Sequence, residues 1–273
     1  MDFDLLYDRP GGEPYLTIPG HPNIIITPPR IEDASDLISI LNNFEVAIWL
    51  QGPPYPYPVE EARQYLRTVS IPSSVQIRKE IEAHNSSING GGHGNETTNH
   101  FLSGCPVTSI REVDPETGKE SLIGCIGIRR NDFYEIEDDA VREAEFEANA
   151  AKKAGDGSII WAMGSKSLLL YKPPNRPTIV GVMADRNGAD FLSPSHKGRG
   201  ITTMAAKTVI DWGRKHMNIK EVRASMFDGN IASQRVYEKI GFKHISTRKD
   251  ALTRAEVKGG GKITIHILTS KKQ

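Results

Sequence analysis

The sequence has few cysteines, no excess of charge of either sign and no long apolar run. Its 273 residues include two cysteines, Cys105 and Cys125. Two thiols cannot form a disulfide framework, and this favours a reducing compartment in which they pack as small apolar groups. Lys plus Arg and Asp plus Glu number 34 each, so net charge gives no reason to expect a nucleic-acid or membrane partner. Any cationic site must therefore be local.

The sequence also lacks the marks of a membrane span or an export signal. No stretch approaches the ~18 apolar residues that a spanning helix needs. The opening residues, Met1 to Asp4, offer neither a basic flank nor an apolar run. We therefore predict a soluble cytoplasmic protein, monomeric or homodimeric. Because the chain is longer than a single domain of ~100–150 residues requires, we expect one domain with long excursions.

The first third of the chain predicts a loose arm followed by a strand and two helices. Residues 1–22 are rich in Pro, Gly and acids without a period, so we expect an arm there and a domain over 23–270. The β-branched run Ile24 to Thr27 predicts a strand. Apolar residues recurring at three and four positions predict helices over Ile31 to Leu41 and over about Val59 to Val69.

Two stretches are predicted to be insertions. Residues 84–100 contain almost no apolar side chains and are expected to form a flexible loop. Its three histidines lack the paired short spacing of a metal site, so no metal is expected. The second insertion spans about 131–177. It includes eight acids against one base between Asp132 and Glu147, which predicts either a solvated helix or an acidic lip that attracts an amine.

Four further runs are candidate strands around these insertions. Val107 to Val113 and Ser121 to Arg129, joined by a turn at 114–119, predict a hairpin. Ser158 to Met163 and Thr178 to Met183 are the other two, and the sequence leaves open which of them joins the central sheet.

The stretch from Ala189 to Phe242 carries the chemistry. Phe191-Leu192-Ser193 ends a short strand, and Lys197-Gly198-Arg199-Gly200 then opens a helix with an apolar stripe that begins at Ile201. A helix N-terminus offers unpaired N–H groups and a partial positive charge, and glycine lets that backbone approach an anion. With its two basic side chains, the turn suits a pyrophosphate, although a lone Gly-x-Gly is more often a plain turn.

A second strand and helix follow this turn. Glu221 to Phe227 predicts a strand, Asn230 is placed to cap the next helix, and Gly241 is placed to end it. Ser233 and Tyr237 lie four residues apart, so one helix face presents both hydroxyls. An isolated tyrosine at such a position is more often a core residue with a wetted hydroxyl.

These motifs together resemble the GNAT acetyltransferase superfamily. The resemblance lies in Leu192-Ser193-Pro194, in His196 to Ile201 and in Asn230 to Phe242. Upstream, Asn43-Phe44-Glu45-Val46 and Glu60-Glu61-Ala62 are similar to the opening of the branch that acetylates the N-termini of ribosomal proteins.

The resemblance implies a fold and an acetyl-CoA site. The implied fold is a mixed, mostly antiparallel sheet of about six or seven strands with helices on both faces, splayed between the strands ending near Leu192 and Phe227. By position, the loop Lys197, Gly198, Arg199, Gly200, Ile201 and Thr202 would wrap the coenzyme pyrophosphate. Phe191, Leu192, Ser193, Asn230 and Ser233 would contact the pantetheine arm. Thr202 and Met204 depart from the family's usual glycine or alanine and glutamate.

The implied activity is direct acetyl transfer to an amine without a metal. A backbone N–H near Leu192 would stabilise the oxyanion, and Tyr237 would protonate the thiolate. Asp190 and Asp228 lie close enough in sequence to be considered as a base. The expected acceptor is a protein or peptide N-terminus, because an α-amine with a pKa of ~8 needs little help to react. A small amine, polyamine or aminoglycoside is the alternative acceptor, and a non-catalytic acyl-CoA-binding protein is the other class.

Overall fold

The computed structural model describes residues 3–9, 11–89, 100–164 and 190–271. Its strands are β1 (Leu16–Ile18), β2 (His21–Thr27), β3 (Ser109–Val113), β4 (Glu120–Cys125), β5 (Arg129–Arg130), β6 (Ile160–Gly164), β7 (Phe191–Leu192), β8 (Glu221–Phe227), β9 (Lys243–Thr253) and β10 (Lys262–Lys271). Its α-helices are α1 (Ala34–Leu41), α2 (Phe44–Ala47), α3 (Val59–Tyr65), α4 (Ile71–Asn89), α5 (Asp139–Ala150), α6 (Ile201–His216) and α7 (Ile231–Lys239).

The described strands form two half-sheets of five strands each. The first has the order β1-β2-β3-β4-β7 and is antiparallel throughout. The second has the order β5-β6-β8-β10-β9, and its one parallel pair joins β6 to β8. The mixed, mostly antiparallel sheet is therefore confirmed. The splay predicted between the strands that end near Leu192 and Phe227 stays a prediction; in the strand order, β7 is at the edge of the first half-sheet and β8 is inside the second.

One pair of strand segments connects the two half-sheets. In the second half-sheet, Arg130 lies opposite Trp161 and Arg129 opposite Ala162. In the first, Cys125 lies opposite Phe191 and Gly124 opposite Leu192. Continuing the pairs of the second half-sheet places residue 127 opposite residue 164. Continuing the pairs of the first half-sheet places the adjacent residue 126 opposite residue 190. The ladder therefore keeps its register if the 25 residues 165–189 are left out of the count.

Helices cover both faces of the first half-sheet. Leu122 packs with the apolar residues of α1 and α3, whereas its neighbour Ile123 packs with the large core that contains α6. Successive strand residues point to opposite faces, so these two contacts place the two helical layers on opposite sides. The prediction of helices on both faces is confirmed.

The N-terminal segment differs from the predicted loose arm. Phe3 and Leu5 are buried, and β1 pairs with β2 inside the segment. The indole N–H of Trp212 donates to the carbonyl oxygen of Phe3 at 2.7 Å. The apolar residues of this segment are too sparse to show a period, but Phe3, Leu5, Leu16 and Ile18 belong to the large core that also contains the buried apolar residues of α6.

The first predicted insertion also begins later than expected. Helix α4 continues through Asn89, so residues 84–89 of the predicted loop belong to a helix. Residues 90–99 fall outside the described residues. The predicted second helix is likewise longer, because a π-helical turn, Leu66–Ser70, joins α3 to α4. Pro72 therefore lies inside a continuous helical run, directly after the π-helical turn; proline cannot donate a backbone hydrogen bond, and helices commonly depart from the regular pattern near it.

The second predicted insertion contains an α-helix and a strand, α5 and β6. Its remaining part, 165–177, and the strand candidate Thr178 to Met183 lie outside the described residues. Ser158 to Met163 does join the sheet, as β6. Within the described ranges, no helix combines the length and the apolar character needed to cross a membrane.

Candidate active site

The loop before α6 has the backbone that the sequence predicted for an anion site. Gly198 has φ 77° and Gly200 has φ 78°, values in the left-handed region that glycine adopts without strain. Gly200 is the N-cap of α6, and its position has no side-chain cap hydrogen bond. The first N–H groups of this 16-residue helix therefore have no partner inside the helix. They add the positive end of the helix dipole to the loop.

The two basic residues of this loop are paired with carboxylates. Lys197 Nζ contacts Glu45 of α2 in an exposed ion pair, and Arg199 Nη2 lies 3.1 Å from Glu112 of β3. His196 Nε2 lies 3.1 Å from the same carboxylate, and this hydrogen bond holds the pKa of Glu112 below its usual value. No local pattern predicts these acids, because they lie 152 and 87 residues from their basic partners.

Strand β7 directs one peptide unit toward the splay. The N–H of Ser193 donates to the carbonyl oxygen of Ile123 in β4 at 2.7 Å. Because successive peptide N–H groups of a strand alternate in direction, the N–H of Leu192 points away from β4. On that side β7 has no strand neighbour among the described residues. The geometry places the predicted oxyanion donor at the edge of the splay.

Tyr237 lies buried at the junction of the half-sheets. Its hydroxyl donates to Asp190 Oδ2 at 2.9 Å, and Asp190 Oδ1 accepts the N–H of Gly127 at 3.0 Å. Burial, followed by the charge of Asp190, raises the pKa of Tyr237 well above 10. Tyr237 is 3 % exposed and packs on Phe242. Tyr237 is thus a packed core residue, and its hydroxyl also has a specific carboxylate partner in Asp190.

Asn230 and Ser233 lie at the start of α7, next to the end of β8. Asn230 Oδ1 accepts the N–H of Ser233 at 3.2 Å, so the predicted N-cap is present. Gly241 ends the helix with φ 90°, as its position in the sequence indicated. Of the two departures from the family pattern, Met204 packs partly buried against the large core, and Thr202 is half-buried.

The link between α1 and α3 lies beside both the loop and the end of β8. Glu45 reaches Lys197 as described, and a Cβ added to Gly229 would lie 3.8 Å from Trp49. Lys258, buried at 2 % exposure, donates from Nζ to the carbonyl oxygen of Leu50 at 2.7 Å and also to that of Pro53. The 43–57 segment is therefore fixed in place rather than a free connection.

The acidic stretch 132–147 reaches the same side of the molecule. Tyr134 packs against the cluster of Phe227, Ile263, Ile265 and Ile267, which Trp49 also contacts. Glu135 forms an ion pair with Arg223, and Asp138 caps α5 by accepting the N–H groups of Ala140 and Val141. Part of the acidity therefore serves structure, and its exposed remainder lies on α5.

Arg129 was not predicted as a site residue. It is 7 % exposed and lines a small polar recess together with Asn131, Asp132, Tyr134, Glu135, Ala162, Arg223, Ala224, Ser225 and Ile267. Its Nε and Nη2 atoms have no hydrogen-bond partner in the part of the chain that the structure describes. Within those same ranges, no group of three or more His, Cys, Asp or Glu side chains is arranged to hold a metal.

Comparison with known proteins agrees with this geometry. Residues 136–243 match the sequence model of the acetyltransferase (GNAT) domain. A probable N-acetyltransferase of Bacillus subtilis (strain 168), YjcK, is 28 % identical over 143 residues, which are 49 % of this chain and 71 % of that protein. Residues 136–243 are therefore a GNAT acetyltransferase domain, which is an acyltransferase domain.

Solved structures extend the likeness of fold beyond the matched domain. A GNAT-family acetyltransferase from Bacillus anthracis superposes with a TM-score of 0.52 at 11 % identity, covering 94 % of this chain and 98 % of that one. RimL, a ribosomal L7/L12 α-N-protein acetyltransferase in complex with coenzyme A, gives 0.50 at 12 % identity, covering 93 % and 97 %. At these identities the likeness concerns the fold, and it includes the N-terminal strands and helices.

Proposed function

We propose that the protein transfers an acetyl group from acetyl-CoA to the N-terminal α-amine of a protein or peptide. The observation that carries the proposal is the pair of left-handed glycines, Gly198 and Gly200, at the uncapped start of α6. Such a turn accepts the pyrophosphate of a coenzyme through backbone N–H groups alone. Lys197 and Arg199 lie at the rim, where each is paired with a carboxylate that a phosphate could replace.

The chemistry requires two groups at the splay beyond the coenzyme loop. The N–H of Leu192 is directed to the place where an oxyanion would form, and such a donor typically contributes about 3 kcal/mol to catalysis. Tyr237 supplies a hydroxyl whose raised pKa keeps it protonated at neutral pH, so that it is available as a hydrogen donor to a departing thiolate. Direct attack by the amine needs no covalent enzyme intermediate.

The acceptor class is supported by the segment that borders the splay. Phe44 is 46 % exposed and lies edge-on to Tyr55 with ring centroids 5.6 Å apart, next to the fixed link that carries Trp49. Flat aromatic groups on a held backbone provide contact area for an extended peptide at little entropic cost. The exposed acids of α5 would attract basic residues that follow the acetylated terminus. RimL, a neighbour in fold, is a ribosomal L7/L12 α-N-protein acetyltransferase.

The test compares two forms of one basic peptide with radiolabelled acetyl-CoA. The first form has a free N-terminus and blocked lysine side chains, and the second has the reverse. We expect label in the first form only. Label confined to lysine, or appearing only with spermidine-like amines, would overturn the acceptor class. Tight coenzyme binding without transfer to any amine would indicate the non-catalytic binding protein instead.

A pair of matched variants tests whether the link contacts the acceptor. Phe44→Ala removes an exposed aromatic ring from the link, and Leu6→Ala removes an apolar side chain of similar exposure, 43 %, from the N-terminal segment. We expect Phe44→Ala alone to raise the KM for the peptide while leaving the KM for acetyl-CoA unchanged. Equal effects of the two variants would place the acceptor elsewhere.

A further inference from the structure

The direction of one hydrogen bond conflicts with a simple role for Tyr237. A phenol has a single proton, and here that proton is donated to Asp190 Oδ2 at 2.9 Å. The hydroxyl cannot donate to a sulfur at the same time. Burial and the nearby carboxylate also oppose loss of the proton without replacement. Something must therefore turn the hydroxyl during the reaction and restore its proton afterwards.

Asp190 is fixed where it could do this. Its second oxygen accepts the N–H of Gly127 at 3.0 Å, which holds the carboxylate at the junction of the two half-sheets. Two of the groups that interact electrostatically with this pair are Arg129, which acts on Tyr237, and Cys125, which lies near Asp190. The guanidinium of Arg129 favours negative charge at the pair. Burial raises the pKa of the Cys125 thiol, so that group stays neutral.

We propose that Asp190 is a positioning residue that turns the Tyr237 hydroxyl toward the leaving sulfur by accepting a proton in each turnover. This inference rests on the proposed acetyl transfer. Once the amine nitrogen has bonded to the carbonyl carbon, its extra proton passes through water to the Asp190 carboxylate. The resulting acid now donates to the Tyr237 oxygen, which reverses the hydrogen bond and frees the phenolic hydrogen.

The remaining step balances the protons. The bond between carbon and sulfur breaks with its electron pair going to sulfur, and the Tyr237 proton moves to that sulfur. The Asp190 proton then moves to the Tyr237 oxygen. One proton has travelled from nitrogen to sulfur, and both side chains return to their starting states. The products are the amide and the free thiol of the coenzyme.

A double-mutant cycle in activity tests the route. Asp190→Asn keeps the shape of the side chain but cannot accept the amine proton, so kcat should fall by roughly 10²-fold, at the low end for general acid–base groups. In a Tyr237→Phe background the same change should have little further effect, because the route is already broken. A purely structural role through Gly127 would give equal losses in both backgrounds and would overturn the proposal. Asp211→Asn, an exposed carboxylate of α6, is the matched control.

A second cycle, in urea midpoints, reports on the contact without using activity. Asp190→Asn and Tyr237→Phe should each lower the midpoint, and the double variant should fall by less than the two shifts combined. Additive shifts would show that the two side chains do not act together and would overturn the proposal. Coupled midpoints without acetyl transfer to any amine would refute the proposed function, and with it the proton route, while the contact itself would stand.

Discussion

Removal of residues 165–189, joining Gly164 directly to Asp190, is expected to leave the fold intact. The strand pairs on either side of this stretch follow one another without a register change. The joined chain would therefore form one uninterrupted strand from β6 into β7, opposite the stretch from β4 to β5. Asp190 would keep its contacts with Gly127 and Tyr237, since its place on the ladder does not move.

The size of the effect follows from the entropy of closing the connection. On the chain-entropy estimate, closing a connection of 25 residues between two fixed strand ends costs (3/2)RT ln n, or about 3 kcal/mol. The deletion removes this term, so stability should rise by up to about 3 kcal/mol. For a chain of this size that corresponds to an increase in Tm of up to roughly 10 °C. Scanning calorimetry with and without coenzyme A measures both the midpoint and the retention of the binding site.

A deletion shorter by one residue provides the control. Removing 166–189 leaves Ser165 between Gly164 and Asp190, so the strand must bulge or shift by one position. A one-residue shift turns every side chain to the opposite face. Asp190 would then point away from Tyr237, and turnover should fall although the two deletions differ by one residue. Loss of folding in the 25-residue deletion, or identical behaviour of both variants, would refute this reasoning.

Three further predictions concern the coenzyme loop, a buried ion pair and a buried lysine. Gly200→Val should abolish the stabilisation of about 2.7 kcal/mol that coenzyme A gives at 100 times its Kd, because valine resists the left-handed backbone. The control is Gly118→Val, at φ 68° in the β3–β4 turn, which should lower Tm but keep the increase in Tm caused by coenzyme A. Arg111→Met should destabilise the fold by about 3–5 kcal/mol, because it leaves buried Asp33 without its charged partner at 2.7 Å. Asp211→Ala, which breaks an exposed ion pair, should change stability little. Comparable urea midpoints for the two variants would contradict this. Burial lowers the pKa of Lys258 to about 8 in the folded protein, below the ordinary lysine value of ~10.4 in the unfolded chain. Between these two pH values the unfolded chain keeps a proton that the folded protein has lost, so stability should rise as the pH rises. Lys258→Met should remove that rise.

The elements that sequence predicted well are those whose signals are local. The helix beginning at Ile201, the cap at Asn230 and the strand Glu221–Phe227 each follow from a period or a single residue type, and all three are present. The N-terminal segment was predicted wrongly because Phe3 is held by Trp212, a residue 209 positions away. Composition indicates whether a segment would be ordered in isolation. The order of this segment depends instead on the residues against which it packs.

The candidate site shows the same division. The glycine conformations at the coenzyme loop could be predicted, since only glycine adopts them freely. The contact between Asp190 and Tyr237 could not, because it spans 47 residues and depends on how two half-sheets meet. The extent of the second insertion was also placed by composition at about 131–177. Its described part contains α5 and β6, and the bounds of the insertion stay a prediction.

Lys197 and Arg199 lie in the loop proposed to bind the coenzyme, and their pairing with carboxylates has a consequence for ligand choice. Lys197 and Arg199 each hold a carboxylate before any anion arrives, so the loop presents almost no net charge to its surroundings. A ligand that offers charge alone must displace Glu45 and Glu112 and gains little by doing so, because exposed ion pairs of this kind are worth ~0–1 kcal/mol. A ligand that also fills the backbone cradle of the two glycines and runs along β7 gains enough to replace them. Under the proposed function, we therefore expect the two glutamates to disfavour simple polyanions and to favour a phosphate ester of matching shape.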